Sequence, residues 1–364
     1  MIVLKRRLLL VSMTGPSASS PMEPPKSGLK PSSRLTSCFV VADVGGTHAR
    51  LALAVGDVPH GRVLGDTIHR YVCADWPGLE AIVADYLKRI APIHPVAGLV
   101  CAIAGYLQDD KVINRNLPWM VSRQALVVAC GQRPVWLIND FEALAYATLT
   151  LGPTELVPMI EPSRSSNSPA GTRVVLGPGT GLGSAILVDA GHRAQVLASE
   201  AGQMAMAPRS GRELRLFELF SRRHSYVTYE HVLSGPGLLA TYQGLCELDG
   251  RQSSVFRAPE VSRLALADAE PLAVEAMDIF CGLLGSLMAD LAILLGATGG
   301  IYLGGGFVPE LLAFLPRSAF RQRFFNKGVM QSYLQQIPVW GLQPAEHGMR
   351  GAAAMVGLGL IPIA

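Results

Sequence analysis

The sequence predicts an α/β fold built from two related halves. Short apolar runs alternate with segments of helical period, which argues for mostly parallel sheet. A strand–glycine turn–strand unit occurs twice, over residues 39–55 and again over 173–188. Asn139-Asp140 stands where an apolar strand hands over to a helix.

The first unit begins at Cys38. Phe39-Val40-Val41-Ala42 reads as a buried strand, Asp43-Val44-Gly45-Gly46-Thr47 as a sharp turn, and Arg50 to Val55 as the returning strand. Helical period follows over 77–91, carried by Leu79, Ile82, Val83, Tyr86 and Leu87. Gly98 to Ala104 is a further buried strand, Trp136-Leu137-Ile138 another, and Phe141 to Leu149 a helix. A Pro/Ser-rich loop spans 162–171. The second unit runs Arg173 to Leu176, through Gly177-Pro178-Gly179-Thr180-Gly181-Leu182-Gly183, to Ser184–Val188. Such short self-similarity suggests two related halves. Helices dominate 211–296, and Ile301-Tyr302-Leu303 is a strand ending in three glycines. Val308-Pro309 opens a helix, and residues 337–340 form a strand whose Pro338 marks its start or a sheet edge. Gly348 to Leu360 closes the chain as a small-residue helix.

At 364 residues and 49% hydrophobic, the chain can bury two cores. The formal charge of +3 is unevenly spread: residues 1–37 hold six of the 31 Lys and Arg but one of the 28 acids, so the remainder is −2. That excludes a nucleic-acid surface as the purpose of the basic residues. The six cysteines stand singly, with no CxxC and no zinc spacing, and read as buried thiols. Lys5-Arg6-Arg7 before Leu8-Leu9-Leu10 is too short an apolar run for a signal peptide, and the Pro/Ser-rich stretch beyond it reads as a disordered extension. Met13 and Met22 leave a later start open. The apolar stretch 282–303 contains Asp290 and several glycines, so it is expected as a core helix and strand rather than a membrane span.

Glycine lets backbone N–H groups approach a phosphate without a Cβ in the way, and a threonine adds a hydroxyl donor. Asp43, leading the first turn, is placed to hold Mg²⁺ directly or through water. Structural turns look the same singly; two, each between strands, favour a phosphate cradle. Neither is a P-loop or a Rossmann fingerprint. Asp140 at a strand's carboxyl end lies where α/β enzymes place chemistry, although a helix N-cap explains it equally. Glu200 and Glu230 lie in polar loops and taken singly are ordinary surface acids. There is no HxxxH, HExxH or GxSxG.

In this order, Asp43 to Arg50, Ile138 to Phe141, Gly179 to Gly183, Val232 to Leu238, Gly304 to Pro309 and Phe325 to Gly328 resemble the bacterial glucokinase family of the hexokinase/actin-like superfamily. The resemblance covers Val40 to the C-terminus. It implies a two-domain actin/hexokinase-like (ribonuclease H-like) α/β fold with mixed sheets and an interdomain cleft. A small domain would span 38–150, completed by a helix over 345–364, and a large domain 151–344, with 1–37 outside both. It implies ATP-dependent phosphorylation of D-glucose to glucose 6-phosphate, in the cytoplasm and as a homodimer, with no nucleic acid and no membrane. Asp140 aligns with the family's catalytic base. Asn116, Asn139, Glu200, Gln203 and Glu230 fall on sugar-side positions, as Asp140 also does. Ala42, Asp43, Val44, Gly45, Gly46 and Thr47 match the first ATP-phosphate segment. Gly179, Thr180 and Gly181 match the second, and Gly304 and Gly305 the adenosine side, with Mg²⁺ at Asp43. Two residues depart from the pattern. Gln203 replaces a histidine that binds the sugar near its anomeric end, and His48 replaces an asparagine. Kinases for mannose or an amino sugar, a non-catalytic sugar sensor and another actin-like ATPase are the competing readings.

Overall fold

The structure is a computed structural model that describes residues 38–58, 60–90, 95–114, 117–163, 171–190, 194–209 and 211–361. The N-terminal extension and most of the Pro/Ser-rich loop expected from the sequence lie outside these residues. Residues 36–364 form one compact unit.

The chain opens with β1 (Cys38–Val44), β2 (His48–Val55), β3 (Arg62–Val72), α1 (Leu79–Ile90) and β4 (Val96–Ile103). Short strands β5 (Tyr106–Gln108), β6 (Lys111–Ile113) and β7 (Val121–Ser122) follow, then α2 (Arg123–Ala129), β8 (Val135–Asn139) and α3 (Asp140–Ala147). Next come β9 (Leu156–Ile160), β10 (Arg173–Pro178), β11 (Leu182–Asp189) and β12 (Ala194–Ser199). Helices α4 (Gly211–Ser221), α5 (Gly235–Leu248), α6 (Ala258–Leu266) and α7 (Pro271–Leu295) lead to β13 (Gly300–Leu303). The chain ends with α8 (Val308–Phe314), α9 (Phe320–Phe325), α10 (Gln331–Leu334), β14 (Val339–Leu342) and α11 (His347–Gly357).

Two large sheets follow one plan. The first is ordered β3-β2-β1-β4-β8 and the second β12-β11-β10-β13-β14-β9. In each, three antiparallel strands from the glycine-turn unit are followed by parallel neighbours. The sheets are therefore mixed, not mostly parallel, because each glycine turn returns the chain antiparallel to itself. The repeated unit seen in the sequence is the seed of both sheets.

Interior strands are continuous apolar runs, as in Phe39–Ala42 and Leu99–Ile103, all buried. In the two large sheets, the strands the sequence did not reveal, β3, β9 and β12, all lie at the edges; it also did not reveal the short β5, β6 and β7, which form a small sheet of their own. β3 carries Arg62, Asp66, His69 and Arg70, β9 carries Pro158, and β12 has an exposed Leu197. Half-exposed, interrupted strands lack the pattern that marks an interior one. Because β9 covers β14, Pro338 marks a strand start and not an edge.

Helix α7 is long and apolar enough to cross a membrane, but 72% of its most hydrophobic window is buried inside the fold. It packs with α5 and α6 behind the second sheet, in the largest core. All six cysteines are buried, and none forms a disulfide. Ion pairs within the second half, Arg323 with Glu213 and Lys327 with Asp290, fix α9 and the segment after it.

Two helices fill the space facing the inner surfaces. On α11, Met349, Ala352, Ala353 and Val356 pack on Phe39, Val41 and Val100 of the first sheet. On α3, Leu144 and Tyr146 pack on Val175, Ala185 and Tyr302 of the second. The helices touch each other through small residues: a Cβ on Gly351 would stand 1.7 Å from the Ala143 carbonyl oxygen. Gly351→Ala should therefore force the pair apart and destabilise the protein by about 1–3 kcal/mol, an ordinary overpacking magnitude. Urea unfolding of the variant against the parent checks this, and an unchanged midpoint would contradict the contact.

Candidate active site

The site is built around the first turn of α3. Asn139 is its N-cap, and the Asn139 Oδ1 accepts a hydrogen bond from Phe141 N at 2.8 Å. Burial raises the neighbouring Glu142 carboxyl above its ordinary value, and the Asn139 backbone opposes the shift. The cap is thus supplied by Asn139, and Asp140 sits one residue into the helix. Asp140 Oδ1 accepts from Phe141 N at 3.1 Å. Its Oδ2 has no hydrogen-bond partner among the described residues. Burial pushes the Asp140 carboxyl up to about 6; backbone N–H groups oppose the shift, and the carboxylates of Asp43 and Glu200 add to it.

Asp140 faces a cavity of about 480 Å³. The second glycine turn, Gly179 to Gly181, lines it, together with Asn139, Glu200, Glu230 and Gly305. Gly179 N donates to Gly181 O at 2.7 Å, and Gly179 O accepts from Gly235 N at the start of α5. The N–H groups of Thr180 and Gly181 have no backbone partner among the described residues. They are available to an anion. Gly305, at φ 107°, is in the region glycine favours, and Gly304 N donates to Leu176 O at 2.8 Å.

Glu230 braces this turn from behind. Its Oε2 accepts from Leu182 N at 2.8 Å, and a Cβ on Gly181 would come within 2.6 Å of that oxygen. Gln203 Nε2 donates to Glu230 Oε1 at 3.1 Å. Gln203 therefore reaches Glu230. Asn139 Nδ2 is likewise bonded, to Gly105 O at 2.9 Å. Each of these amides keeps further donor or acceptor capacity for a ligand. Burial raises the Glu200 carboxyl above its ordinary value, and the charge on Glu230 raises it further.

A second cavity of about 390 Å³ adjoins the first, and Asp140, Phe141, Gly305 and Gly306 line both. Asp43 faces it, with the N-terminal turn of α11 close by: a Cβ on Gly348 would stand 2.7 Å from Asp43 Oδ1. Arg50 NH1 donates to Asp43 Oδ2 at 3.3 Å, and Arg50 Nε lies 3.2 Å from Glu346 Oε2. Burial raises the Asp43 carboxyl, Arg50 pulls it back and Glu346 pushes it up. Two half-buried carboxylates, Asp43 and Asp140, on adjoining cavities are hard oxygen donors of the kind Mg²⁺ takes while keeping most of its waters. No cluster of three or more His, Cys, Asp and Glu suited to a metal occurs among the described residues.

The first glycine turn stands apart. Ala42 and Val44 are core residues of β1, and Gly45, Gly46 and Thr47 line neither cavity. Gly45 N donates to His48 O at 3.0 Å, and the N–H groups of Gly46 and Thr47 have no backbone partner among the described residues. His48 Nδ1 lies 3.0 Å from Thr47 Oγ1. Asn116 lies outside the described residues.

Sequence reasoning missed three features. Asn114 lines the central cavity, its Nδ2 donating to Ala104 O at 2.8 Å. Phe141 lines both cavities. An apolar groove of about 600 Å³ leads away from Thr180 and is lined by Pro236, Leu239, Phe256 and Phe307, with Phe256 72% exposed. Only the glycine motif at 235–237 hinted at the groove.

Residues 40–358 match the protein-family model described as Glucokinase. A "Glucokinase-like protein" of Xylella fastidiosa is 38% identical over 318 residues, 86% of this chain and 93% of its own. A "Glucokinase" of Chromobacterium violaceum is 38% identical over 323 residues, 89% of this chain and 90% of its own. Among solved structures, a glucokinase from an Antarctic psychrotroph superposes with a TM-score of 0.77 at 31% identity, covering 88% of this chain and 98% of that one.

The raised Asp140 carboxyl has a consequence for stability. Its value of about 6 in the folded chain exceeds the ordinary 3.8, so the folded state binds the extra proton between those limits. The ionised form is a burden that is fully present above about pH 6 and absent below about pH 4. Discounted for partial exposure, Asp140→Asn should stabilise the fold by about 1–2 kcal/mol near pH 8 and by nothing near pH 4. Urea unfolding at both pH values measures this, and equal gains at the two would contradict it.

Proposed function

The chain belongs to the glucokinase family and is a sugar kinase, and we propose that it phosphorylates the 6-hydroxyl of D-glucose with MgATP, with Asp140 as the base. The carrying observation is that one cavity holds the Asp140 carboxylate, the free N–H groups of Thr180 and Gly181, and the polar set Asn139, Glu200 and Glu230.

Asp140 Oδ2, without a hydrogen-bond partner among the described residues, accepts the proton of the attacking hydroxyl. In a loose transition state its main work is orientation. Thr180 and Gly181 hold phosphate oxygens on backbone N–H groups as charge shifts during transfer. Asp43, beside Asp140, would hold Mg²⁺ through water, where the ion would offset phosphate charge. The apolar groove beyond Thr180, with Phe256 at its side, suits a planar adenine face. The Gly46 and Thr47 N–H groups serve the same phosphates once the first sheet closes toward the second. That closure also expels water, the competing acceptor.

Glucose hydroxyls are read by Glu200, Glu230 and the Asn139 amide. Sites built on such bonds reject analogues that lack a partner by orders of magnitude. Gln203 favours a second reading within the same class. Its bond to Glu230 orients that carboxylate with a neutral amide, which suits mannose or an amino sugar as readily near the anomeric end. An ADP-release assay over glucose, mannose, glucosamine and N-acetylmannosamine decides. The reading predicts glucose as the best substrate by kcat/KM, and turnover of no sugar would overturn it.

Asp140→Ala should lower kcat by about a thousandfold or more while glucose binding, read by tryptophan fluorescence, stays within about threefold. In the parent enzyme the base must be ionised, so kcat/KM should fall about tenfold per unit as pH drops below about 6. A flat profile down to about pH 5 would remove Asp140 from that role.

A further inference from the structure

Phe141, the residue after the proposed base, occupies an unusual place. Gly177 on β10 and Gly183 on β11 are register partners across the hairpin that carries the second glycine turn. A Cβ on Gly183 would stand 1.9 Å from Phe141 Cε2 and 2.2 Å from its Cδ2. One on Gly177 would stand 2.6 Å from both Cε1 and Cζ. The ring thus lies where the two missing side chains would be.

Each glycine lies one residue inside the strand end that flanks the turn, and glycine in a strand weakens it, so two face to face weaken the hairpin at one point. An ordinary core contact would not need that concession, since any shorter apolar side chain on α3 could pack on alanines. The pair is explained by a requirement for the ring at that point. The same residue anchors the carboxylate: Phe141 N donates to both Asn139 Oδ1 and Asp140 Oδ1. Displacing the ring therefore displaces the N–H that fixes one oxygen of Asp140.

We propose that Phe141 is a positioning residue that keys the Asp140 carboxylate to the base of the Gly179–Gly181 turn. β8, which precedes Asp140, belongs to the first sheet, whereas the turn belongs to the second. Movement of one sheet against the other would change the distance from base to phosphate if β8 alone set it. The ring makes Asp140 travel with the turn. This proposal rests on the reading of Asp140 as the base.

The test combines kinetics and stability on the full chain for Phe141→Leu, Phe141→Ala, Gly183→Ala and the double variant Phe141→Ala/Gly183→Ala. Phe141→Ala should lower kcat about 10- to 100-fold, the range for a base misplaced by an ångström, with the glucose KM within about threefold. Phe141→Leu, which refills part of the volume, should recover part of that loss. Gly183→Ala alone should be damaging, because its methyl overlaps the ring. In the Phe141→Ala background the same methyl enters vacated space, and its effect on kcat and on the urea midpoint should shrink at least about fivefold, a coupling that independent sites do not show. A Phe141→Ala enzyme with kcat within about twofold of the parent, or additive effects in the double variant, would overturn the proposal. Should Gly183→Ala fail to fold alone, the kcat against KM pattern of the two Phe141 variants still decides. Absence of any sugar phosphorylation by the parent would count against the kinase reading instead, and the urea cycle would then judge the wedge without it.

Discussion

The site depends on how closely α3 and α11 approach. Each helix covers the inner face of a different sheet, and the two meet where Gly351 leaves no Cβ against the Ala143 carbonyl. Any larger residue there would lift α3 and carry Asp140 with it. Arg350 secures the arrangement on its far side, with one nitrogen on Thr150 O at 2.7 Å and another on Glu155. Close-packed interiors transmit such displacements rather than absorb them, so small residues on two remote stretches of sequence set the position of a carboxylate neither of them touches.

The electrostatics of the cleft is strained. Asp43, Asp140, Glu200 and Glu230 gather around cavities proposed to receive a polyanion. Asp43, Asp140 and Glu200 are held above their ordinary values, chiefly by desolvation. Ionised, they repel one another and would repel phosphates. The offsetting groups are Arg50 and the N–H groups of the two glycine turns that lack backbone partners among the described residues; a divalent cation, on the proposed reading, would add to them. The folded chain tolerates this concentration of charge because the sheets and helices around it are otherwise well packed, the usual relation between a functional site and its scaffold.

Much of this was legible because it is local. The strand–turn–strand units, the Asn139-Asp140 junction and the interior strands are each specified within a short contiguous stretch of sequence, and their order carried the family resemblance. Edge strands were not legible: β3, β9 and β12 lack an uninterrupted apolar run because one side meets solvent. The N-cap alternative for Asp140 was half right, since the cap exists but falls on Asn139. Long-range pairings were invisible. Glu230 seats behind a turn some fifty residues earlier, and Phe141 fits between two glycines whose meaning as a pair appears only once the strands are in register. Gly177 and Gly183 read as part of the glycine turn, whereas they lie in β10 and β11 and the space they leave is filled by Phe141.

The six buried thiols give the molecule built-in reporters of opening. The thiolate is the reactive form, and burial holds the Cys101 thiol far above its usual range and that of Cys281 at about 12. Cys101 lies in β4 of the first sheet and Cys281 in α7 behind the second. Neither can meet an aqueous disulfide reagent until its own core separates. Rates of thiol labelling at the two positions would therefore time the unfolding of each half of the chain separately, without an introduced probe.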